Sequence, residues 1–184
     1  MEHCAKGEKM DPQAVIEVFR RNLTQHYFDV KGRVRRQEFW YFVLAAVVVS
    51  IVASIIDVIL SSGLLRPLVG LALLLPMTGL GIRRLQDTGR NGKLVWVSAG
   101  LYAVMMVLTV IMAFTYAATV ISPYGYNPYA ASAGFLMFGG LMTLVGLATL
   151  VVAAVLVYFW VQPGTVGPNQ YGPDPKAPAE TVTA

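Results

Sequence analysis

Four long apolar runs divide the chain, and its basic residues collect at alternate ends of those runs. Eight Lys or Arg residues precede the first run and four lie between the second and third. Arg66 alone separates the first from the second, none separates the third from the fourth, and Lys176 alone follows the last. A helix needs about 20 apolar residues to cross a bilayer, and Lys and Arg are enriched in cytosolic loops. The pattern predicts an all-α polytopic membrane protein with four transmembrane helices and both termini cytosolic. The predicted spans are 39–60, 64–82, 94–121 and 133–161, within a transmembrane domain of 27–162. A cytosolic segment, 1–26, precedes it, and a cytosolic Gly/Pro-rich tail, 163–184, follows.

Composition narrows the function classes. Only 13% of residues are charged, against about 25% in soluble domains, so no second globular domain is expected. The net charge of +4 is explained by the flanks of the spans, and no nucleic-acid partner is expected. Cys4 is the only cysteine, which excludes an intrachain disulfide. The first apolar run opens near Phe39 behind a long charged segment, so it is expected to stay as an anchor rather than be cleaved. His3 and His26 fall outside the spans, and Asp57 is the only acid inside one. Intramembrane hydrolysis needs a nucleophile with a base, paired acids or a metal. No catalytic residue, metal site or cofactor is expected. Asn22-Leu23-Thr24 matches a glycosylation sequon, but its predicted cytosolic side leaves it a chance match.

Local patterns fill in the organisation. Residues 1–11 are polar and expected to be disordered. Pro12 suits the first turn of a short amphipathic helix, with Val15, Phe19 and Leu23 at four-residue spacing and Ile16 beside them. That helix either lies along the membrane surface or packs on the cytosolic ends of the bundle. Ser61-Ser62-Gly63 predicts a tight antiparallel hairpin, and Pro76 predicts a kink whose freed carbonyl a neighbour satisfies. Trp40, Trp96 and Trp160 fall at predicted cytosolic ends, and the uncharged loop Ser122 to Tyr129 places its tyrosines at the outer interface. Gly32-Arg33 before Trp40 and Gly89-Arg90 before Trp96 echo one another, which admits a two-plus-two repeat.

Three groups of residues are candidates for a role. Asp57 and Arg66 lie at similar depth across the first hairpin, either as a structural ion pair or as an outer ion site. Gly139, Thr143, Gly146 and Ala153 put small residues on one face of the fourth span, for packing within the bundle or for homo-oligomer formation. The third group lies on the cytosolic face, where Lys31 to Trp40 and Arg83 to Lys93 hold eight basic residues against Glu38 and Asp87. Each basic group near an anionic surface contributes about 1 kcal/mol. Arg33, Arg35, Arg36, Glu38, Arg83, Arg84, Asp87 and Arg90 are therefore the candidate lipid- or partner-binding set, with topology determination as the plainer reading.

These segments also carry a resemblance. Gly32-Arg33 through Trp40, then Arg83-Arg84-Leu85-x-Asp87-Thr88-Gly89-Arg90, then Gly167-Pro168-Asn169-Gln170-Tyr171-Gly172-Pro173-Asp174-Pro175 resemble the bacterial family called domain of unknown function 805. The family usually has His where this chain has Gln86, and commonly Ser-Gly-Trp at Asn91-Gly92-Lys93. The resemblance implies a small helical protein of the bacterial inner membrane and brings no activity or catalytic residues. The tail motif is expected to fold back near the headgroups, against the arginine loop.

Taken together, the leading expectation is a non-enzymatic component of the bacterial inner (plasma) membrane whose basic cytosolic face engages anionic lipid or a partner protein. The alternatives are a small oligomeric channel or transporter, with Thr78, Ser98, Thr109 and Thr143 lining a pore between chains, and an enzyme working at the cytosolic interface.

Overall fold

A computed structural model describes residues 12–60, 65–120 and 128–176. Five helices account for most of them: α1 Pro12–Thr24, α2 Arg36–Leu60, α3 Leu65–Asp87, α4 Lys93–Val120 and α5 Pro128–Val161. The last four are long and apolar enough to cross a membrane. The Ser61-Ser62-Gly63 turn, residues 1–11 and the loop residues 121–127 lie outside the described residues. The described parts fall into two compact units, one within 1–92 and 162–184 and the other within 93–161.

In the first unit α2 and α3 pack together, and α1 packs on α2. Phe19 of α1 meets Phe42 of α2 with ring centroids 5.2 Å apart. The core sits at one end of the α2–α3 pair: Phe39, Phe42, Leu80 and Leu85 are fully or almost fully buried there.

α3 runs to Asp87, one and a half turns past the expected end at Ile82. The pair Arg83-Arg84 reads as a membrane edge in sequence, yet both side chains are buried by protein and the helix continues through them. It stops in a Schellman motif: Arg90 N–H donates to Leu85 O at 3.0 Å and Gly89 N–H to Gln86 O at 3.0 Å. Gly89 takes φ 76°, the left-handed conformation this cap requires and glycine adopts without penalty.

Pro76 lies inside α3 and cannot donate to the carbonyl four residues back, that of Ala72. Tyr27 Oη donates to Ala72 O at 2.8 Å instead. The expected neighbour that satisfies this carbonyl comes from the α1–α2 connection and not from another spanning helix.

The second unit is the α4–α5 hairpin. It contains no Asp, Glu, His or Arg, and its one Lys is Lys93 at the start of α4. α5 begins at Pro128, earlier than the expected residue 133, because proline is preorganised for a first helical turn. At Gly134 the two helices approach closely, and an added Cβ would lie 3.3 Å from the Thr115 methyl. Gly32 and Gly89, the two glycines of the internal echo, both take positive φ shortly before a long helix.

Candidate functional site

The end of the α2–α3 pair where α3 stops carries a charged clasp centred on Asp87. Its side chain is 6% exposed and lies between two arginines, Arg33 at 2% and Arg84 at 0%. Arg33 Nε donates to Asp87 Oδ1 at 3.0 Å, and Arg84 Nη1 donates to Oδ2. Each guanidinium then reaches into the chain that follows α5. Arg33 donates to Gly167 O at 2.6 Å and Thr165 O at 2.5 Å, and Arg84 donates to Gln162 O. The Asp87 backbone carbonyl accepts from Thr165 N–H at 2.9 Å and from Thr165 Oγ1 at 3.1 Å. Asn169 donates to Gln86 O at 3.0 Å.

The tail thus folds back on the arginine loop, as its Gly/Pro-rich motif led us to expect. Asn169 and Gly172 close a tight turn by exchanging backbone hydrogen bonds at 3.0 and 3.1 Å. Asp174 then accepts from the backbone N–H groups of Gly167 at 3.0 Å and Lys176 at 2.9 Å. The backbone N–H of Lys176, followed by that of Gly167, holds the Asp174 carboxyl below its ordinary pKa. Gly164 passes so close that any side chain there would overlap the Asp87 carboxylate. One carboxylate and two planar five-donor cations can satisfy a bare polypeptide turn that has few side chains of its own.

A second polar group borders the first. Arg83 is 8% exposed and donates to Asn22 Oδ1 at 3.0 Å, with Asp29 Oδ2 at 3.8 Å. Asn22, the sequon residue, is fully buried and donates back to Val18 O at 2.8 Å. Arg21 pairs with Glu38, joining α1 to α2. Gln86 donates to Val30 O at 3.1 Å. Arg83 Nε and Gln86 Oε1 are buried without a partner.

The candidate set therefore divides by exposure. Arg33, Arg83, Arg84 and Asp87 are internal, and Glu38 is tied to Arg21. Arg35, Arg36 and Arg90 are exposed at the same end. Arg35 Nε touches Pro175 O at 2.6 Å, and Arg90 lies 3.4 Å from Gln162 Oε1. Sequence reasoning missed Asn22, Thr165 and Asn169 as parts of this network. Only the tail motif signalled the last of them.

The other two groups resolve differently. The Asp57 carboxylate accepts from the backbone N–H groups of Leu65 at 3.1 Å and Arg66 at 2.9 Å. It caps the N-terminus of α3, where a negative charge stabilises the helix by about 0.3–1 kcal/mol. On α5, no α4 atom comes within 4 Å of a Cβ added at Gly139 or Gly146. Thr143 and Ala153 on the same helix are exposed. The hydroxyls of Thr78, Ser98, Thr109 and Thr143 all donate to carbonyls of their own helices, at 2.6–2.8 Å. Among the described residues no three His, Cys, Asp or Glu side chains gather as a metal site.

Comparison with known proteins agrees with this architecture. The inner membrane protein YhaI of Escherichia coli strain K12 is 40% identical over 73 residues, which is 39% of this chain and 62% of YhaI. The chain thus matches less than two thirds of that relative. The inner membrane protein YhaH of the same strain is 25% identical over 158 residues, covering 83% of this chain and 91% of YhaH. No solved structure matches. The family profile described as "Protein of unknown function (DUF805)" matches residues 27–173, which run from the Tyr27 contact through the clasp to the tail. On that coverage the chain belongs to the DUF805 family.

Proposed function

We propose that this protein is a non-enzymatic component of the bacterial plasma membrane, with both termini in the cytosol, whose clasp end engages anionic phospholipid headgroups. The observation that carries this reading is the division of the arginines. The inner three spend their donors on Asp87, Asn22 and tail carbonyls. They build a rigid platform. Arg35, Arg36 and Arg90 remain exposed at its rim, where they can meet headgroups. The local bonding of the span hydroxyls supports this reading over a pore between chains. Self-association through Gly139, Thr143, Gly146 and Ala153 belongs to the same proposal, since α4 leaves that face open. Gly146→Leu is expected to shift the oligomeric state, and an unchanged state with lower stability would count against it.

The test is native mass spectrometry of the protein extracted from its own membrane in mild detergent. Wild type is expected to retain anionic phospholipid, and the triple variant Arg35→Gln/Arg36→Gln/Arg90→Gln to lose it while remaining folded. Retention of a second protein instead would move the reading to a partner. A homo-oligomer that passes ions in liposomes would move it to a channel. Sidedness is read from Cys4: an impermeant maleimide should label it in inverted vesicles and not in spheroplasts.

A further inference from the structure

α3 is long and apolar enough to cross a membrane over Leu65–Asp87, so the middle of this helix lies at membrane depth. Arg66 and Arg83 bracket a charge-free stretch from Pro67 to Ile82, about 24 Å long at 1.5 Å per residue. A hydrocarbon core is about 30 Å thick. Whatever packs beside this stretch therefore lies within the membrane or at its immediate border.

The segment joining α1 to α2 packs there. Gly79 lies inside the charge-free stretch, and an added Cβ would sit 2.8 Å from Asp29 O. The Asp29 backbone thus lies directly on α3. Tyr27 reaches deeper, to Ala72 O, about 15 Å below Ile82 along the helix axis. The chain then returns: Gln86 holds Val30 O, and Arg33 meets Asp87 at the end of α3. The path dips along α3 and comes back.

Irregular backbone is tolerated at membrane depth only where its polar groups are satisfied by protein. Several are satisfied here. Gln25 N–H donates to Arg21 O at 2.9 Å and His26 N–H to the same carbonyl at 3.3 Å. Lys31 N–H donates to Asp29 Oδ1 at 3.1 Å. The polar side chains of the segment stay at its upper rim, where His26 meets Asp29 at 3.3 Å and Arg83 approaches Asp29. Its lower tip is aromatic, and those aromatics are only partly covered by protein: Phe28 is 47% exposed and Tyr27 39%.

We propose that residues 25–30 form a re-entrant wedge inserted in the leaflet on the clasp side, with Tyr27 and Phe28 packed against phospholipid acyl chains. On α3 itself Leu68, Leu71 and Leu75 are also exposed. An amphipathic tyrosine suits this place, with its ring in the apolar layer and its hydroxyl on the carbonyl that Pro76 frees.

The test is depth measurement on the full chain in liposomes of phosphatidylethanolamine and phosphatidylglycerol. With Cys4→Ser, single nitroxides are placed at Phe28→Cys in the wedge, Leu71→Cys on α3 and Arg20→Cys on the exposed side of α1. Collision with oxygen and with a water-borne nickel chelate is then compared. The label at 28 is expected to match that at 71, with nickel accessibility several-fold below that at 20. A label at 28 as accessible to nickel as that at 20 would overturn the wedge. Hydroxyl-radical footprinting of the unmodified protein gives the same answer without any substitution. Tyr27 and Phe28 should be oxidised no faster than the exposed α4 residue Phe114, and faster oxidation would overturn the proposal.

Discussion

The two units of this chain solve the membrane problem in opposite ways. The unit of α1, α2, α3 and the tail carries charge inside and meets it with directed bonds, though Arg83 Nε stays unmatched: Arg33 and Arg84 on Asp87, Arg83 on Asn22, Asp57 on the start of α3. The α4–α5 unit has no charged residue after Lys93 and exposes long apolar side chains along both helices. Directional bonds fix geometry residue by residue, whereas an apolar face that meets lipid fixes little beyond depth. The first unit is therefore where substitutions should act sharply. The second should tolerate them.

The largest contrast should come from Asp87. Replacing it with Asn leaves two buried guanidinium groups without their carboxylate, and breaking a buried pair in this way costs about 3–5 kcal/mol. Thermal unfolding in detergent should show that loss, whereas Thr143→Ala on α5 should change little. A loss at Asp87 no greater than at Thr143 would erase the distinction between the units.

Next come two glycines with opposite surroundings. Gly79→Ala drives a Cβ into the Asp29 backbone, while Gly146→Ala meets nothing within 4 Å. The first should destabilise the protein by about 1–3 kcal/mol, the range for overpacking. The second should be neutral or stabilise by up to about 1 kcal/mol through helix propensity. Equal effects on midpoint temperature would show that the α1–α2 connection does not press on α3.

A smaller effect is expected at Tyr27. Tyr27→Phe removes the bond to Ala72 O and should cost about 1 kcal/mol. In a Pro76→Ala background the helix supplies its own N–H to that carbonyl, so the same change should cost less. A double-mutant cycle with no coupling would contradict the exchange.

How much of this was legible in the sequence follows the same division. The spans were readable because apolar runs have a required length, and α2 and α4 begin and end within a few residues of expectation. The end of α3 was not, since Arg83 and Arg84 look like a membrane border unless one knows that α1, the wedge and the tail cover them. Asp57 was legible as a polar group near the hairpin, but its bonds to backbone N–H groups have no sequence signature. The arginines announced a site. Which of them are internal depends on tail carbonyls about 130 residues away, and backbone carbonyls carry no residue code.

The smallest predicted effect lies at the tail turn and depends on pH. The Asp174 carboxyl has a folded pKa below its ordinary value, so its contribution is complete above that ordinary value. It fades as the pH falls through the lower folded one. The tail should therefore become more open to protease only in strongly acidic solution, and Asp174→Asn should remove that dependence. Tail cleavage that rises already near neutral pH would assign the turn to another group.

The most direct measurement is hydrogen–deuterium exchange in lipid nanodiscs, comparing wild type with Asp87→Asn. If the clasp pins the tail, the backbone N–H groups of Thr165, Asn169 and Gly172 exchange slowly in wild type. They should become fast in the variant, while α4 and α5 stay unchanged. A tail that exchanges freely in wild type, or one equally protected without the Asp87 carboxylate, would contradict the account.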